Sequence, residues 1–168
     1  MLIIELKNIE RNNGIVGAGG AGFPAYAKMT EKADTVILNC VECEPLLKLH
    51  RQLLATHTEE IIQMLDEVRE SFGAKEAVIG IKSEYVTTIK AIEEVIGDFP
   101  NVRICALKAA YPMGDEVVLI YEATGRVIKP GGLPIDENVV VYNVETMYNL
   151  YRAVHLNIPV TNKLVSIV

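Results

Sequence analysis

Short apolar runs alternate with longer amphipathic segments along most of this chain. Four runs rich in β-branched residues predict strands, at residues 34–40, 76–81, 102–107 and 138–142. The segments at 46–72, 84–96 and 144–154 have the apolar spacing of helices. Strands that alternate with helices of this length need parallel crossovers. We therefore predict a three-layer α/β/α Rossmann-like fold with a mainly parallel sheet.

The charge of the chain excludes one class of partner. Its 168 residues carry a net charge of −6, with acidic and basic side chains interspersed, so no cationic face is available for nucleic acid. No apolar run reaches membrane-spanning length, and the first residues lack the regions of a signal peptide. Three cysteines do not form a disulfide framework. We expect a cytoplasmic protein without direct membrane insertion.

The densest cluster of glycines lies in residues 14–28, GIVGAGGAGFPAYAK. Gly17, Gly19, Gly20 and Gly22 fall within six positions, which we call the glycine loop (residues 17–22). Each glycine costs backbone entropy and adds nothing to a core, so the cluster indicates that backbone approaches a ligand closely. Pro24 is placed to open a helix, whose N-terminus would favour an anion.

The same glycines also spell G-x-G-x-x-G, and Glu42 follows at about the distance of a ribose-binding acid. An ordinary dinucleotide-binding domain needs a strand that runs directly into the first glycine. The apolar run LIIEL, the only candidate for that strand, ends well upstream and is followed by the polar segment KNIERNNG. The dinucleotide interpretation is therefore an alternative rather than the first choice. A P-loop is excluded, because no Gly-Lys-Ser/Thr follows the glycines.

Three of the predicted strands run into polar segments, at 39–45, 110–116 and 142–146. In an open parallel sheet, ligands bind beyond the carboxyl ends of the strands. The sequence therefore predicts a crevice at this edge that combines an anion site with amides and carboxylates. Gly73 and Gly97 follow two of the helical segments and are predicted as their C-caps.

Five motifs, in chain order, resemble the flavin-binding module of the RnfC family, which belongs to the Rnf complex: GIVGAGGAGFPAYAK, VILNCVECEP, YPMGDE, TGRVIKPGGLP and YNVETM. The resemblance extends to soluble relatives that serve cobalamin reduction or proline reductase, and more distantly to the FMN- and NADH-binding subunit of respiratory complex I. It implies FMN as the cofactor and NADH as the substrate. It also implies that electrons pass to iron–sulfur clusters on another domain or subunit, in a complex that can be peripheral to a membrane.

The resemblance further implies a set of binding residues. The glycine loop would hold the flavin phosphate, Asn39 the pyrimidine edge of the ring, and Glu42 the hydroxyls. The full cofactor-binding set is Gly17, Gly19, Gly20, Gly22, Lys28, Asn39, Glu42, Tyr111, Gly114, Glu116, Asn143 and Thr146. The residues implied for NADH are Lys28, Glu44 and Glu116. No residue is assigned a catalytic role, because the flavin carries the chemistry.

Structural roles remain open for several of these residues. Asn143 could cap the helix that follows it, and Asp115 and Glu116 could serve only a helix N-terminus. Tyr111 could be a half-buried core ring, and Lys28 a solvated helix residue. Two departures from complex I, at Ala18 and Val41, make NADH less secure than FMN.

Cys40 and Cys43 form a C-x-x-C pair, but no second pair completes a zinc site. Three cysteines cannot supply the four thiolates of an iron–sulfur cluster, so no cluster and no other metal is predicted in this chain. Cys105 is predicted in the core. His50 and His57 are predicted on the surface of one helix face.

The segment 158–168, IPVTNKLVSIV, resembles the opening strand of a β-grasp domain. We therefore expect an FMN-binding domain at 1–157, followed by the start of an incomplete second domain. The alternative in function is a binding or assembly domain that keeps this fold without turnover.

Overall fold

The computed structural model describes residues 1–20, 22–29, 32–44 and 46–167. In these residues the centre is a four-stranded sheet in the order β3-β2-β1-β4, with every neighbouring pair parallel. The strands are β1 (Thr35–Cys40), β2 (Glu76–Lys82), β3 (Val102–Leu107) and β4 (Val139–Asn143). The predicted fold class is confirmed.

Six α-helices surround the sheet in the described part of the chain. They are α1 (Ile3–Asn12), α2 (Leu49–Thr56), α3 (Thr58–Phe72), α4 (Val86–Val95), α5 (Glu116–Thr124) and α6 (Val144–His155). Short 3₁₀ helices occupy Ala25–Lys28, Ile96–Asp98 and Pro134–Glu137. Among the described residues, no helix is both long enough and apolar enough to span a bilayer.

The strand order reverses between β1 and β4. The chain steps from β1 to β2 to β3 in one direction and then returns to the far side of β1. Right-handed crossovers therefore place the helices before and after this return on opposite faces. Helices α1, α2, α3, α4 and α6 share one core with Leu38 and Ile79, whereas α5 packs on the other face against Ile37 and Val78.

Two predictions of local structure were wrong. The run LIIEL is not a strand but part of α1, because Ile3, Leu6 and Ile9 repeat at helical spacing and turn one side toward the core. The segment 46–72 is not one helix, since the chain bends at His57, which ends α2 and begins α3. His50 and His57 therefore do not share a helix face.

The two glycine caps have different outcomes. Gly73 ends α3 in the left-handed conformation with φ 67°, which confirms the prediction. Gly97 instead lies inside the 3₁₀ helix Ile96–Asp98, because the chain tightens after Val95 before it stops.

Helix α1 carries an acid into the interior. Glu10 is 0% exposed, and neither of its carboxyl oxygens has a hydrogen-bond partner among the described residues. The hydroxyl of Tyr142 is buried without a partner in the same part of the chain. Burial raises the pKa of Glu10 from 4.5 to about 8, and attraction from Lys28 and Lys7 only partly opposes it. The carboxyl is therefore mostly protonated at neutral pH.

Glu10→Gln should change how stability depends on pH. The folded chain holds a proton on Glu10 that the unfolded chain releases between pH 4.5 and about 8, so the contribution of Glu10 to stability is lost as the pH rises through this window. Glutamine stays neutral, so the variant should gain on the wild type by about 1 kcal/mol per pH unit. Urea denaturation across this range measures the difference.

The matched control is Glu93→Gln, which changes an exposed acid on α4. Its stability should run parallel to that of the wild type at every pH. A Glu10→Gln curve that also ran parallel would show that Glu10 is ionised in the folded protein.

Candidate functional site

Two asparagines mark the point where the strand order reverses. Asn39 and Asn143 are in register at the carboxyl ends of β1 and β4. The Asn39 amide donates to the carbonyl of Gly114 at 3.0 Å, and its oxygen accepts from Val41 N at 2.9 Å. The Asn143 oxygen lies only 2.9 Å from the place where a Cβ on Gly19 would stand. The strand ends thus meet both the glycine loop and the turn before α5.

The glycine loop is closed at its base. Val16 and Pro24 form an antiparallel bridge, and Gly17 N donates to Phe23 O at 2.7 Å. One step further from the loop, Ala25 N donates to Ile15 O. These bonds hold the two ends of the loop together, so its tip projects as a compact unit above the sheet edge.

The loop is seated on the first turn of α6. Ala18 N donates to the Thr146 hydroxyl at 2.9 Å. Within the described part of the chain, the N–H groups of Gly19, Gly20 and Gly22 donate no hydrogen bond. Gly20 has φ +106°, and a Cβ there would meet nothing within 4 Å, so the backbone is open to solvent. Unpaired N–H groups in an open glycine loop form an anion-binding arrangement.

The helix predicted to start at Pro24 is much shorter than expected. The chain makes only the 3₁₀ helix Ala25–Lys28, whose four residues carry too little aligned dipole to attract an anion. The twelve-residue helix α6 begins beside the loop instead, and its N-cap Asn143 makes no side-chain cap bond. The positive end of a helix dipole is therefore present, but α6 supplies it.

A salt bridge lies against the outer side of the loop. Glu145, in the first turn of α6, has a side chain only 2% exposed, and it pairs with Lys163 and accepts from Leu164 N. Lys163 Nζ also reaches Ala18 O at 3.4 Å. The segment 157–167, which forms neither helix nor strand, thus crosses the loop and neutralises a carboxylate that would otherwise repel an anion there.

A groove of about 570 Å³ extends from the loop along β4. It is mainly apolar, and its lining includes Phe23, Lys28, Glu116, Leu133, Val139 and Val141. Lys28 Nζ donates to Val141 O at 2.8 Å, lies 3.9 Å from a Glu116 oxygen, and is 6.0 Å from the centre of the Phe23 ring. A cation and an anion thus face an apolar floor large enough for a planar ligand.

The turn before α5 approaches the end of β1 very closely. A Cβ on Gly114 would stand 2.2 Å from Val41 O and 2.7 Å from Cys43 Sγ, so only glycine fits. Asp115 is the N-cap of α5 and accepts from two backbone N–H groups, the structural role left open for it. Tyr111 is 83% exposed and therefore not a core ring.

Residues 11–152 of the chain match the family model described as the Nuo51 FMN-binding domain. The chain belongs to this family. The family predicted from the sequence is thereby confirmed, and with it the assignment to flavin-binding electron-transfer proteins.

Curated relatives of this FMN-binding domain are longer proteins. The chain is 40% identical to the cobalamin reductase PduS of Citrobacter freundii, over 94% of its own length and 34% of the relative. It is 34% identical to a component of the Na⁺-translocating ferredoxin:NAD⁺ oxidoreductase complex of Acetobacterium woodii, over 92% of its own length and 36% of the relative. The chain thus spans about a third of the relatives it matches.

The fold of this FMN-binding domain also recurs in a solved structure. A chain of an air-oxidised NAD⁺-reducing [NiFe]-hydrogenase superposes with a TM-score of 0.76 at 24% identity, covering 90% of this chain and 30% of that one. At that identity the likeness shows the fold alone.

Of the predicted binding residues, the structure gathers most at one edge, but Glu42 faces away from the groove. Its carboxylate accepts from His50 N at 2.8 Å and lies 3.7 Å from Arg51 Nε. Burial raises the pKa of Glu42, and these partners oppose the shift. Glu42 therefore anchors the start of α2, and its contact with flavin hydroxyls stays a prediction. Glu44 is exposed close to the site.

The remaining side chains of interest lie off the loop and groove. His50 is half-buried rather than on the surface, and burial lowers its pKa. Cys105 is half-buried on the edge strand β3, whereas Cys40 is fully buried, and burial raises the pKa of the Cys40 thiol. In the ranges that the structure describes, no three His, Cys, Asp or Glu side chains are placed to share a metal. The absence of a metal centre stays a prediction.

Sequence reasoning missed Glu145 and Lys163. Glu145 lies within the YNVETM motif, but an acid in the first turn of a helix is usually exposed, so nothing in the pattern indicated burial. Lys163 comes 18 residues later, and only the course of the folded chain brings the two together.

Lys163→Met should destabilise the domain by about 1–2 kcal/mol, because it leaves the buried Glu145 carboxylate without its cation while half of the lysine is solvent-screened. Urea denaturation at neutral pH measures the loss. The matched control is Lys90→Met on α4, an exposed lysine that should cost almost nothing. Equal stability of the two variants would mean that the salt bridge does not form in solution.

Proposed function

We propose that this chain is the FMN-holding module of an electron-transfer oxidoreductase, which accepts hydride from NADH and passes electrons to iron–sulfur clusters outside the chain. The observation that carries the proposal is the glycine loop, whose unpaired N–H groups lie beside the N-terminus of α6. The apolar groove along β4 starts next to it.

The loop suits the phosphate of FMN. A phosphate needs several donors at short range, and Gly19, Gly20 and Gly22 offer backbone N–H groups without side chains in the way. Lys163 adds a half-exposed cation at the edge of the loop while it neutralises Glu145. These groups would fix one end of the cofactor.

The groove suits the flavin ring. Val139 and Val141 supply an apolar floor, and the two asparagine amides at its end retain a donor and an acceptor for the polar edge of a ring. FMN, when bound, supplies hydride acceptance and release of single electrons. The residues of this chain bind it, orient it and exclude water from one side.

The substrate assignment rests on charge at the mouth of the groove. Lys28 and Glu116 line it, and Glu44 is exposed at the end of β1, where hydroxyls of a nucleotide could reach it. The Acetobacterium woodii relative is named for ferredoxin:NAD⁺ chemistry, which supports NADH. The alternatives are a binding domain without turnover and an ordinary dinucleotide-binding domain.

Gly20→Ala should weaken FMN binding roughly tenfold or more, because L-alanine disfavours φ +106° and the loop would turn its N–H groups away from the phosphate. Fluorescence quenching of FMN measures the dissociation constant. The matched control is Gly14→Ala, which has φ +68° and equal room but lies outside the loop.

Both variants should remain folded by circular dichroism, and Gly14→Ala should bind FMN like the wild type. Equal FMN affinity in Gly20→Ala would mean that the phosphate lies elsewhere. Tighter binding of NADH than of FMN to the cofactor-free wild type would favour the dinucleotide alternative.

NADH should bleach the visible absorbance of the FMN-loaded protein under anaerobic conditions. Glu44→Gln should raise the NADH concentration needed for half-maximal bleaching roughly tenfold, since a carboxylate–hydroxyl hydrogen bond is lost. Glu59→Gln, an exposed acid on α3, serves as the control. Tight FMN binding without any bleaching would support the non-catalytic binding domain.

A further inference from the structure

We propose that Glu10 is a buried proton-holding residue coupled to the groove through Lys28, so that negative charge gained at the groove is matched by proton uptake at Glu10. The coupling between Glu10 and Lys28 belongs to the chain itself. Only the identity of the groove ligand as FMN rests on the proposed function.

The geometry places Lys28 between the interior and the groove. Its Nζ lines the groove, donates to Val141 O across the free edge of β4, and lies 5.8 Å from the centre of the Tyr142 ring. Tyr142 points to the opposite face of the sheet, into the core that α1 covers. Glu10 lies on that side, with both carboxyl oxygens unpartnered in the described part of the chain.

Few charges act on the Glu10 carboxyl. Lys28 acts from the 3₁₀ helix, Lys7 from the same helix α1, and Tyr142 from β4. Burial keeps the Tyr142 hydroxyl neutral by raising its pKa well above the usual value. Lys7 is exposed, so solvent and salt screen its effect. Lys28 is thus the cation through which the groove and Glu10 interact.

The direction of the coupling follows from electrostatics. Lys28 favours the carboxylate form of Glu10, and burial opposes it. An anion placed beside Lys28 offsets its charge, so the Glu10 carboxyl holds its proton more firmly. Because linkage is reciprocal, the protein should take up part of one proton from solvent when the groove gains negative charge.

The first test needs no ligand. The carbonyl stretch of a buried protonated carboxyl, isolated as the infrared difference between wild type and Glu10→Gln, reports the titration of Glu10. Lys28→Met should move this titration to higher pH, whereas Lys28→Arg should restore the wild-type position. Lys7→Met should move it less than Lys28→Met does.

Circular dichroism confirms that each lysine variant is folded, and Lys28→Arg keeps the test decisive if the methionine variant is not. The absence of a Glu10 band, or a titration that is the same in Lys28→Met and wild type, would overturn the proposal. So would an arginine variant that titrates apart from the wild type.

The second test uses the reduction of bound FMN, which adds negative charge to a ring in the groove. Between pH 7 and 9, the preference for reduced over oxidised FMN should fall with rising pH by roughly three- to tenfold more in the wild type than in Glu10→Gln. The midpoint potential of the bound flavin measures this preference. Glu93→Gln should follow the wild type.

Identical pH profiles in wild type and Glu10→Gln would show that Glu10 is structural only, and the inference would be wrong. Failure of every variant to bind FMN would overturn the proposed function instead, and the infrared titration would still decide whether Glu10 and Lys28 are coupled. The two failures are therefore distinguishable.

Discussion

The parallel pairing of β4 with β1 determines where this protein can hold a ligand. Because β4 returns to the far side of β1, the crossovers on the two sides of this pair leave toward opposite faces of the sheet. A crevice opens at the carboxyl ends of the two strands, the general position of ligand sites in open α/β sheets. Register then places Asn39 beside Asn143, and each asparagine contacts a different polar segment.

The contacts around that crevice depend on close backbone approach. Gly19 lies against the Asn143 amide, and Gly114 lies against the carbonyl of Val41, at distances that leave no room for a side chain. Thr146 meanwhile uses its hydroxyl to hold Ala18. The glycine loop is thus positioned by the N-terminus of α6, while the turn before α5 is positioned by the end of β1.

The sequence could predict the parts of this arrangement that depend on local pattern. Alternating strand and helix periodicity implied the parallel sheet, and the glycine density implied an open loop. The pattern was ambiguous where apolar runs were short, so α1 was mistaken for a strand. Pairs such as Glu145 with Lys163, or Glu10 with Lys28, could not be predicted, because they depend on tertiary burial and on residues far apart in the chain. The role of each predicted binding residue still awaits the ligand titrations.

An acidic chain that holds an anionic cofactor must manage charge locally. The net charge of −6 acts weakly at the loop, because salt screens charges beyond roughly 8 Å. What matters is that the nearest carboxylates are neutralised in different ways: Glu145 is paired with Lys163, Glu116 lies near Lys28, and Glu10 keeps its proton. The first two are fixed by geometry, whereas the third can respond to charge in the groove. Placing a titratable acid behind Lys28 therefore gives the site a means of adjusting its own potential that a salt bridge alone would not provide.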